Sequence, residues 1–80
     1  MDTVKRYIHD FLAERGAMLT DEETATTNFV EAGVIDSFET LNLFMSLDEE
    51  FGVKVSPTEM ASPRLQTVDG LASFVRERLS

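Results

Sequence analysis

Apolar residues recur every three or four positions near the start of the chain, which is the spacing of one face of a helix. The stripe consists of Val4, Tyr7, Ile8, Phe11 and Leu12. It predicts an amphipathic helix from Thr3 to Arg15, with Asp2 or Thr3 as its N-cap and Gly16 at its end.

A second helix is predicted from Asp36 to Phe51, and its apolar residues occupy more than one face. One row, at a spacing of four, contains Leu43, Leu47 and Phe51. A second row contains Phe38, Leu41 and Met45. Asp36, followed three residues later by Glu39, has the pattern of a capping box. We expect one row to enter the core and part of the other to stay exposed.

Two further helices are predicted towards the end of the chain. Ser56 and Glu59 have the spacing of a capping box and predict a short helix, Pro57 to Ala61, which Pro63 prevents from continuing. A last helix is predicted from Thr67 to Leu79. Its apolar stripe is Val68, Leu71, Ala72, Val75 and Leu79.

The connection between the first two predicted helices, residues 16–35, shows no sustained period. We predict an ordered but irregular segment with a short helical turn near Asn28–Ala32. The residues expected to hold it against the core are Leu19, Phe29, Val30, Val34 and Ile35. The predicted fold class is therefore all-α, a single domain over residues 1–80. Its architecture is a small four-helix bundle with three longer helices, one short helix and a long loop between the first and second.

The distribution of charge is more informative than the net charge of −8. From Gly16 to Val53 the chain has no Lys or Arg, but it has nine acidic residues. Such a surface repels nucleic acid and anionic membranes, so we expect no nucleic-acid partner and no membrane insertion. It attracts a basic protein, although acids also serve simply to keep a small domain soluble.

Conventional catalytic and metal sites are missing from the sequence. The chain has no cysteine, and its only histidine, His9, lies on the polar side of the first predicted helix, where we expect a solvated side chain. The acidic triplets Asp21–Glu23 and Asp48–Glu50 lack the alternating spacing of a calcium loop and are interpreted as solvated charge. We therefore predict that the protein is not an enzyme. No secretory pattern or long apolar run is apparent, which predicts a cytoplasmic location.

The segment Gly33–Phe38 (GVIDSF) places Ser37 where the long connection meets the second predicted helix. Taken alone, Ser37 is most simply interpreted as a helix-cap residue, a common role of serine. The segment is followed by the Leu43/Leu47 helix and by Asp48–Val53 (DEEFGV). Together these motifs resemble the acyl carrier protein family. The resemblance covers nearly the whole chain, and the length and acidity of the chain also agree with it.

The resemblance implies that Ser37 is the hydroxyl to which a phosphopantetheinyl transferase attaches 4′-phosphopantetheine from coenzyme A. It also implies that Asp36 is recognised by the transferase and helps to hold magnesium during the transfer. The arm ends in a thiol, which supplies the thioester chemistry that a cysteine-free chain lacks. The implied function is to hold acyl or aminoacyl intermediates and to present them to partner enzymes.

The resemblance also implies a partner surface on the second helix. The matching residues are Asp36, Glu39, Asp48 and Glu49 for charge and Phe38, Leu41 and Met45 for apolar contact. The implied partners are the transferase, a loading ligase or acyltransferase, and synthase or transferase enzymes with basic docking patches. For Phe38 and Met45 the alternative is ordinary core packing. Nothing resembles a large permanent interface, so we expect a monomer.

Two residues depart from the pattern of carriers in fatty acid synthesis. Phe38 follows the serine where that pattern typically has Leu, and Asn42 stands where it has an acid. The GVIDSF segment is more similar to dedicated carriers of specialised pathways, including D-alanyl and other aminoacyl carriers. The cargo, whether fatty acyl, polyketide, aminoacyl or D-alanyl, is left open. The alternative function is an unmodified acidic helical module that binds a basic protein partner.

Overall fold

Helices account for all the regular secondary structure in residues 3–79, which are the residues that the computed structural model describes. The elements are α1 (Thr3–Glu14), α2 (Asp21–Thr26), α3 (Ser37–Phe51), α4 (Pro57–Met60), a 3₁₀ helix (Pro63–Gln66) and α5 (Val68–Leu79). The all-α prediction is thus confirmed. Among these residues, no helix combines the length and the apolar character needed to cross a membrane.

The three predicted long helices and the predicted short one are confirmed as α1, α3, α5 and α4. The capping box of α4 forms as expected, with the Glu59 N–H donating to Ser56 Oγ at 3.2 Å and the Ser56 N–H donating to Glu59 Oε1 at 3.0 Å. The hydrogen bond from the Ser56 N–H lowers the pKa of the Glu59 carboxyl. Of the two caps predicted for α1, Asp2 lies outside the described residues.

The prediction of an irregular connection was wrong for residues 21–26, which form α2. Its capping box joins Thr20 and Glu23, with the Glu23 N–H donating to Thr20 Oγ1 at 3.2 Å and the Thr20 N–H donating to Glu23 Oε1 at 3.0 Å. The helix has no apolar stripe, since Ala25 is its only apolar residue, and only Thr24 is buried. Periodicity therefore could not reveal it, but the T-x-x-E spacing could have done so.

Two smaller features complete the connections. The helical turn predicted near Asn28–Ala32 is present as one turn, in which the Ala32 N–H donates to the Asn28 carbonyl at 2.9 Å. The 3₁₀ helix was not predicted, because Pro63 was interpreted only as the end of α4. Proline suits the first turn of a helix, where its missing N–H costs no hydrogen bond.

The core is built from one face of each long helix and from the long connection. Each long helix contributes two buried apolar side chains one turn apart. They are Ile8 and Leu12 on α1, Leu43 and Leu47 on α3, and Leu71 and Val75 on α5. Phe29 from the connection and Leu65 from the 3₁₀ helix are also buried. Tyr7 of α1 packs edge-on against Phe51 of α3, with ring centroids 5.4 Å apart. Burial of these side chains supplies most of the stability of so small a domain.

Gly70 allows the 3₁₀ helix to approach the first turn of α5 closely. A Cβ atom at this position would lie 1.9 Å from the Arg64 carbonyl oxygen and 2.8 Å from Thr67 Oγ1. The Gly70 N–H also donates to Thr67 Oγ1 at 3.1 Å, which caps the helix start. A glycine inside a helix normally destabilises it, but here it makes room for a neighbouring backbone.

We predict that Leu47→Ala destabilises the fold far more than Met45→Ala, although both residues lie on α3. Leu47 is completely buried, so its truncation leaves a cavity that costs about 2–5 kcal/mol. Met45 is mostly exposed, and its loss should change stability by less than about 0.5 kcal/mol. Urea unfolding followed by circular dichroism measures both values. Equal effects would show that the two faces of α3 are assigned wrongly.

We also predict that Gly70→Ala lowers the free energy of unfolding. Alanine gains about 1 kcal/mol of helix preference, but the steric overlap with the Arg64 carbonyl costs about 1–3 kcal/mol. The expected net loss is therefore up to about 2 kcal/mol, measured by thermal or urea unfolding. Ser73→Ala, one turn later, is the control and should change stability by less than about 0.5 kcal/mol. A more stable Gly70→Ala variant would disprove the steric argument.

Candidate functional site

Ser37 is the first residue of α3, and Asp36 is the N-cap that holds the helix start in place. Asp36 Oδ1 accepts a hydrogen bond from the Glu39 N–H at 2.8 Å. The Asp36 carbonyl accepts two more from Thr40, at 2.9 Å from its N–H and at 2.8 Å from Oγ1. The bond to Asp36 Oδ1 satisfies the Glu39 N–H, a donor that a helix start otherwise leaves unpaired, while the Thr40 N–H forms the first regular bond of the helix. The cap predicted from the sequence is therefore confirmed.

The reciprocal half of that capping box does not form, because the Glu39 carboxylate binds the side chain of Arg15 at the end of α1. The Arg15 Nη1 group also donates to the Phe11 carbonyl at 2.9 Å. The pair joins α1 to the first turn of α3. Sequence spacing gave no sign of it because the two residues are 24 positions apart.

The segment that leads to Ser37 is fixed by the backbone of Phe29. The Phe29 carbonyl accepts hydrogen bonds from the N–H groups of Val34 at 3.1 Å and Ile35 at 3.3 Å. Gly33 adopts a left-handed φ of 69°, which lets the chain turn back to make these bonds. Ile35, two residues before Ser37, is buried in the core. Ser37 thus projects from a rigid support.

The Ser37 side chain is exposed, and within residues 3–79 no group forms a hydrogen bond to its hydroxyl. No base is therefore placed to activate it within the described part of the chain. Its position at a helix start favours an attached anion, because the first N–H groups and the helix dipole give a positive potential there. An anionic group attached to Ser37 would be exposed to solvent, and this potential would partly offset the negative charge of the neighbouring Asp36.

A shallow groove of about 230 Å³ opens beside Ser37. It is lined by Val30, Ser37, Thr40, Leu41, Phe44, Met60 and Gln66. Side-chain amides hold its far wall in position. Asn28 Nδ2 donates to Gln66 Oε1 at 2.9 Å, and Gln66 Nε2 donates to the Met60 carbonyl at 3.2 Å. Met60 and Gln66 were not predicted as site residues, because only the folded chain brings them near Ser37.

The second apolar row of α3 lies on the surface. Phe38, Leu41 and Met45 are 69%, 45% and 53% exposed. The alternative interpretation of Phe38 and Met45, that they pack in the core, is therefore wrong. The three side chains have the spacing of one helix face and follow directly after Ser37. They give the helix an apolar surface strip next to the candidate site.

The acidic residues of α3 differ in how far their charges are compensated. Glu39 is paired with Arg15, whereas Asp48 lies 3.4 Å from the largely exposed Lys54 ammonium group. Asp36 and Glu49 are exposed and form no ion pair with any residue from 3 to 79. Exposed pairs such as the one with Lys54 contribute little, because water and salt screen them. The surface around Ser37 is therefore predominantly negative.

The remaining candidates for chemistry give no catalytic arrangement. His9 is partly exposed, with Nδ1 3.7 Å from the carboxylate of its neighbour Asp10. In the part of the chain that the structure describes, no three acidic or histidine side chains lie close enough together to hold a metal ion. The geometry thus defines a small helical protein with two exposed serines at helix starts. The Ser56 hydroxyl accepts a hydrogen bond from the Glu59 N–H, whereas the Ser37 hydroxyl has no hydrogen-bond partner within residues 3–79 and is open to a second enzyme.

Comparison with known proteins identifies the family. The sequence profile described as "Phosphopantetheine attachment site" matches residues 3–75, so the chain belongs to this family of carrier proteins. A relative, "Acyl carrier protein 2, chloroplastic" from Arabidopsis thaliana, is 37% identical over 59 residues. The match covers 74% of this chain and 41% of that relative. No solved structure matched the chain.

The family assignment confirms the resemblance to acyl carrier proteins. Members of this family carry 4′-phosphopantetheine covalently, so this is the cofactor of the chain. They are carriers and not enzymes, which agrees with the prediction made from the sequence. The arm supplies the thiol on which cargo is held, while the protein supplies position and recognition. The assignment covers the chain as a whole and does not test individual residues.

Proposed function

We propose that Ser37 bears the 4′-phosphopantetheine arm and that the protein carries acyl or aminoacyl intermediates on it as thioesters. One observation supports this assignment above all, namely that Ser37 presents an exposed hydroxyl, without a hydrogen-bond partner among residues 3–79, at the start of a capped helix. The support behind it is rigid, because Phe29 and Ile35 fix the preceding segment. A transferase can therefore reach the hydroxyl without unfolding any part of the domain.

Asp36 is proposed as the residue that the transferase recognises and that helps to hold magnesium during transfer. Its Oδ1 atom is engaged in capping α3, while its side chain remains exposed to solvent. The carboxylate is thus held in one orientation beside Ser37. Repulsion between Asp36 and the phosphodiester is screened by solvent, since both groups are on the surface.

The partner surface is proposed to be the exposed strip of α3 and the acids around it. Its apolar part is Phe38, Leu41 and Met45, and its charged rim is Asp36, Glu39, Asp48 and Glu49. A small apolar patch rimmed by charge suits transient binding, because the patch gives contact and the charges give orientation and a fast encounter. The proposed partners are the transferase, a loading ligase or acyltransferase, and synthases or transferases with basic docking patches.

The pathway is proposed to be a specialised one. Phe38 is a larger side chain than Leu, and at 69% exposure it alters the surface that partners meet directly after Ser37. Asn42 removes a negative charge from the same helix. Both changes affect the contact surface and leave the core intact. The protein is also proposed to be a monomer and to be located in the cytoplasm. The Arabidopsis relative differs in location, since its name describes it as chloroplastic.

The proposed function leads to a prediction about the site of modification. Incubation with coenzyme A, Mg²⁺ and a phosphopantetheinyl transferase of broad range should add one phosphopantetheine to the chain, as measured by intact mass. Ser37→Ala should add none while keeping its helical circular dichroism, because Asp36 and not Ser37 caps α3. Ser46→Ala, on the same helix, should be modified as fully as the natural sequence.

Two results would contradict this assignment. Modification of Ser37→Ala would place the arm on another residue. A natural chain that stays unmodified, under conditions in which a known carrier is modified, would favour the alternative of an unmodified acidic module. Its basic protein partner would then be sought by binding to the exposed strip of α3.

A further prediction concerns the cargo. If the pathway is an aminoacyl one, an adenylating ligase should load the holo-protein with an amino acid, whereas a malonyl transferase should load it poorly. Mass spectrometry of the thioester measures both reactions, and Ser37→Ala is the control that cannot be loaded. Efficient malonyl loading, together with failure of every adenylating ligase tested, would exclude the aminoacyl interpretation.

A further inference from the structure

Arg15 is the only positively charged residue between Arg6 and Lys54 in the sequence. The structure holds its guanidinium group by four contacts. Nη1 donates to the Phe11 carbonyl at 2.9 Å and lies 3.8 Å from the carboxylate of the exposed Glu14. The guanidinium carbon lies 3.4 Å from the centroid of the Phe11 ring, and Nε binds the Glu39 carboxylate. Such a side chain is already ordered, so it binds the carboxylate with little further loss of entropy.

The pair with Glu39 is more shielded than the other ion pair of α3. The Arg15 and Glu39 side chains are 31% and 30% exposed, whereas Lys54 beside Asp48 is 86% exposed. Partial burial reduces screening by water, so the pair between Arg15 and Glu39 is the stronger of the two. Glu39 also lies two residues after Ser37, next to the exposed Phe38. Its charge is thus neutralised within the proposed contact surface.

We propose that Arg15 is a specificity-determining residue of this surface, because it competes with the cations of a partner for Glu39. A basic partner is attracted by the uncompensated Asp36 and Glu49, but it can use Glu39 only by displacing Arg15. The pair therefore lowers affinity for partners that depend on Glu39 and favours those that do not. This inference rests on the proposed function, since it requires a basic partner at α3.

The transferase reaction provides the test. The variants are Arg15→Gln and Arg15→Met, of which the second keeps an apolar stem over the Phe11 ring. The matched control is Arg6→Gln, which likewise removes one positive charge, at an exposed position of α1 that forms no ion pair with residues 3–79. KM and kcat for the apo-protein are measured from low to high salt, and circular dichroism confirms that each variant is folded.

If Arg15 competes with the partner for Glu39, both Arg15 variants should lower KM by about two- to fivefold at low salt. This factor corresponds to the strength of one such ion pair. The value of kcat should stay unchanged, and the gain should disappear at high salt because it is electrostatic. Arg6→Gln should have a smaller effect. In a Glu39→Gln background, Arg15→Gln should act no more strongly than Arg6→Gln.

Three results would overturn the proposal. An Arg15→Gln effect no larger than that of Arg6→Gln would mean that only net charge matters. A raised KM would mean that the partner binds Arg15 itself, and loss of the helical signal in both Arg15 variants would make Arg15 a residue that holds the fold together. These outcomes differ from failure of the proposed function, in which the natural chain is not modified at all.

Discussion

The position of Ser37 depends on the backbone of Phe29. Its N–H donates to the Gln66 carbonyl at 2.8 Å, and its own carbonyl accepts the N–H groups of Val34 and Ile35. The Phe29 side chain is completely buried, so these bonds are protected from competition with water. A long connection is normally mobile and costly to order. Here one buried residue ties it to the 3₁₀ helix and to the start of α3 together.

The two faces of α3 differ in burial, and its sequence assigns different residues to each. Leu43, Phe44 and Leu47 are buried and hold the helix in the core, while Phe38 and Met45 lie exposed on the surface. Because packing fixes only the inner face, the outer residues can vary at little cost in stability. The Phe38 side chain is therefore a feature of the exposed face, and the packing of the core does not depend on it.

Periodicity predicted α1, α3 and α5 well, because each has an apolar stripe that must be buried. It failed for α2, whose stability comes from a capping box and from the single buried Thr24. The motif around Ser37 was sufficient to predict the start of α3 and its cap, Asp36. The groove wall at Met60 and Gln66, and the pair between Arg15 and Glu39, could not be predicted. Both join residues far apart in sequence, and nothing local to either partner specifies the other.

The same helix start also separates stability from chemistry. The carboxylate of Asp36 caps α3 through Oδ1, so the helix keeps its end whatever is attached to the next residue. The Ser37 hydroxyl forms no hydrogen bond within residues 3–79, so a group attached there breaks no hydrogen bond of the described fold. A carrier that passes between many enzymes needs this independence, because the protein must remain folded in the same way in every loaded state. Capping by Asp36, and not by the residue that is modified, provides it.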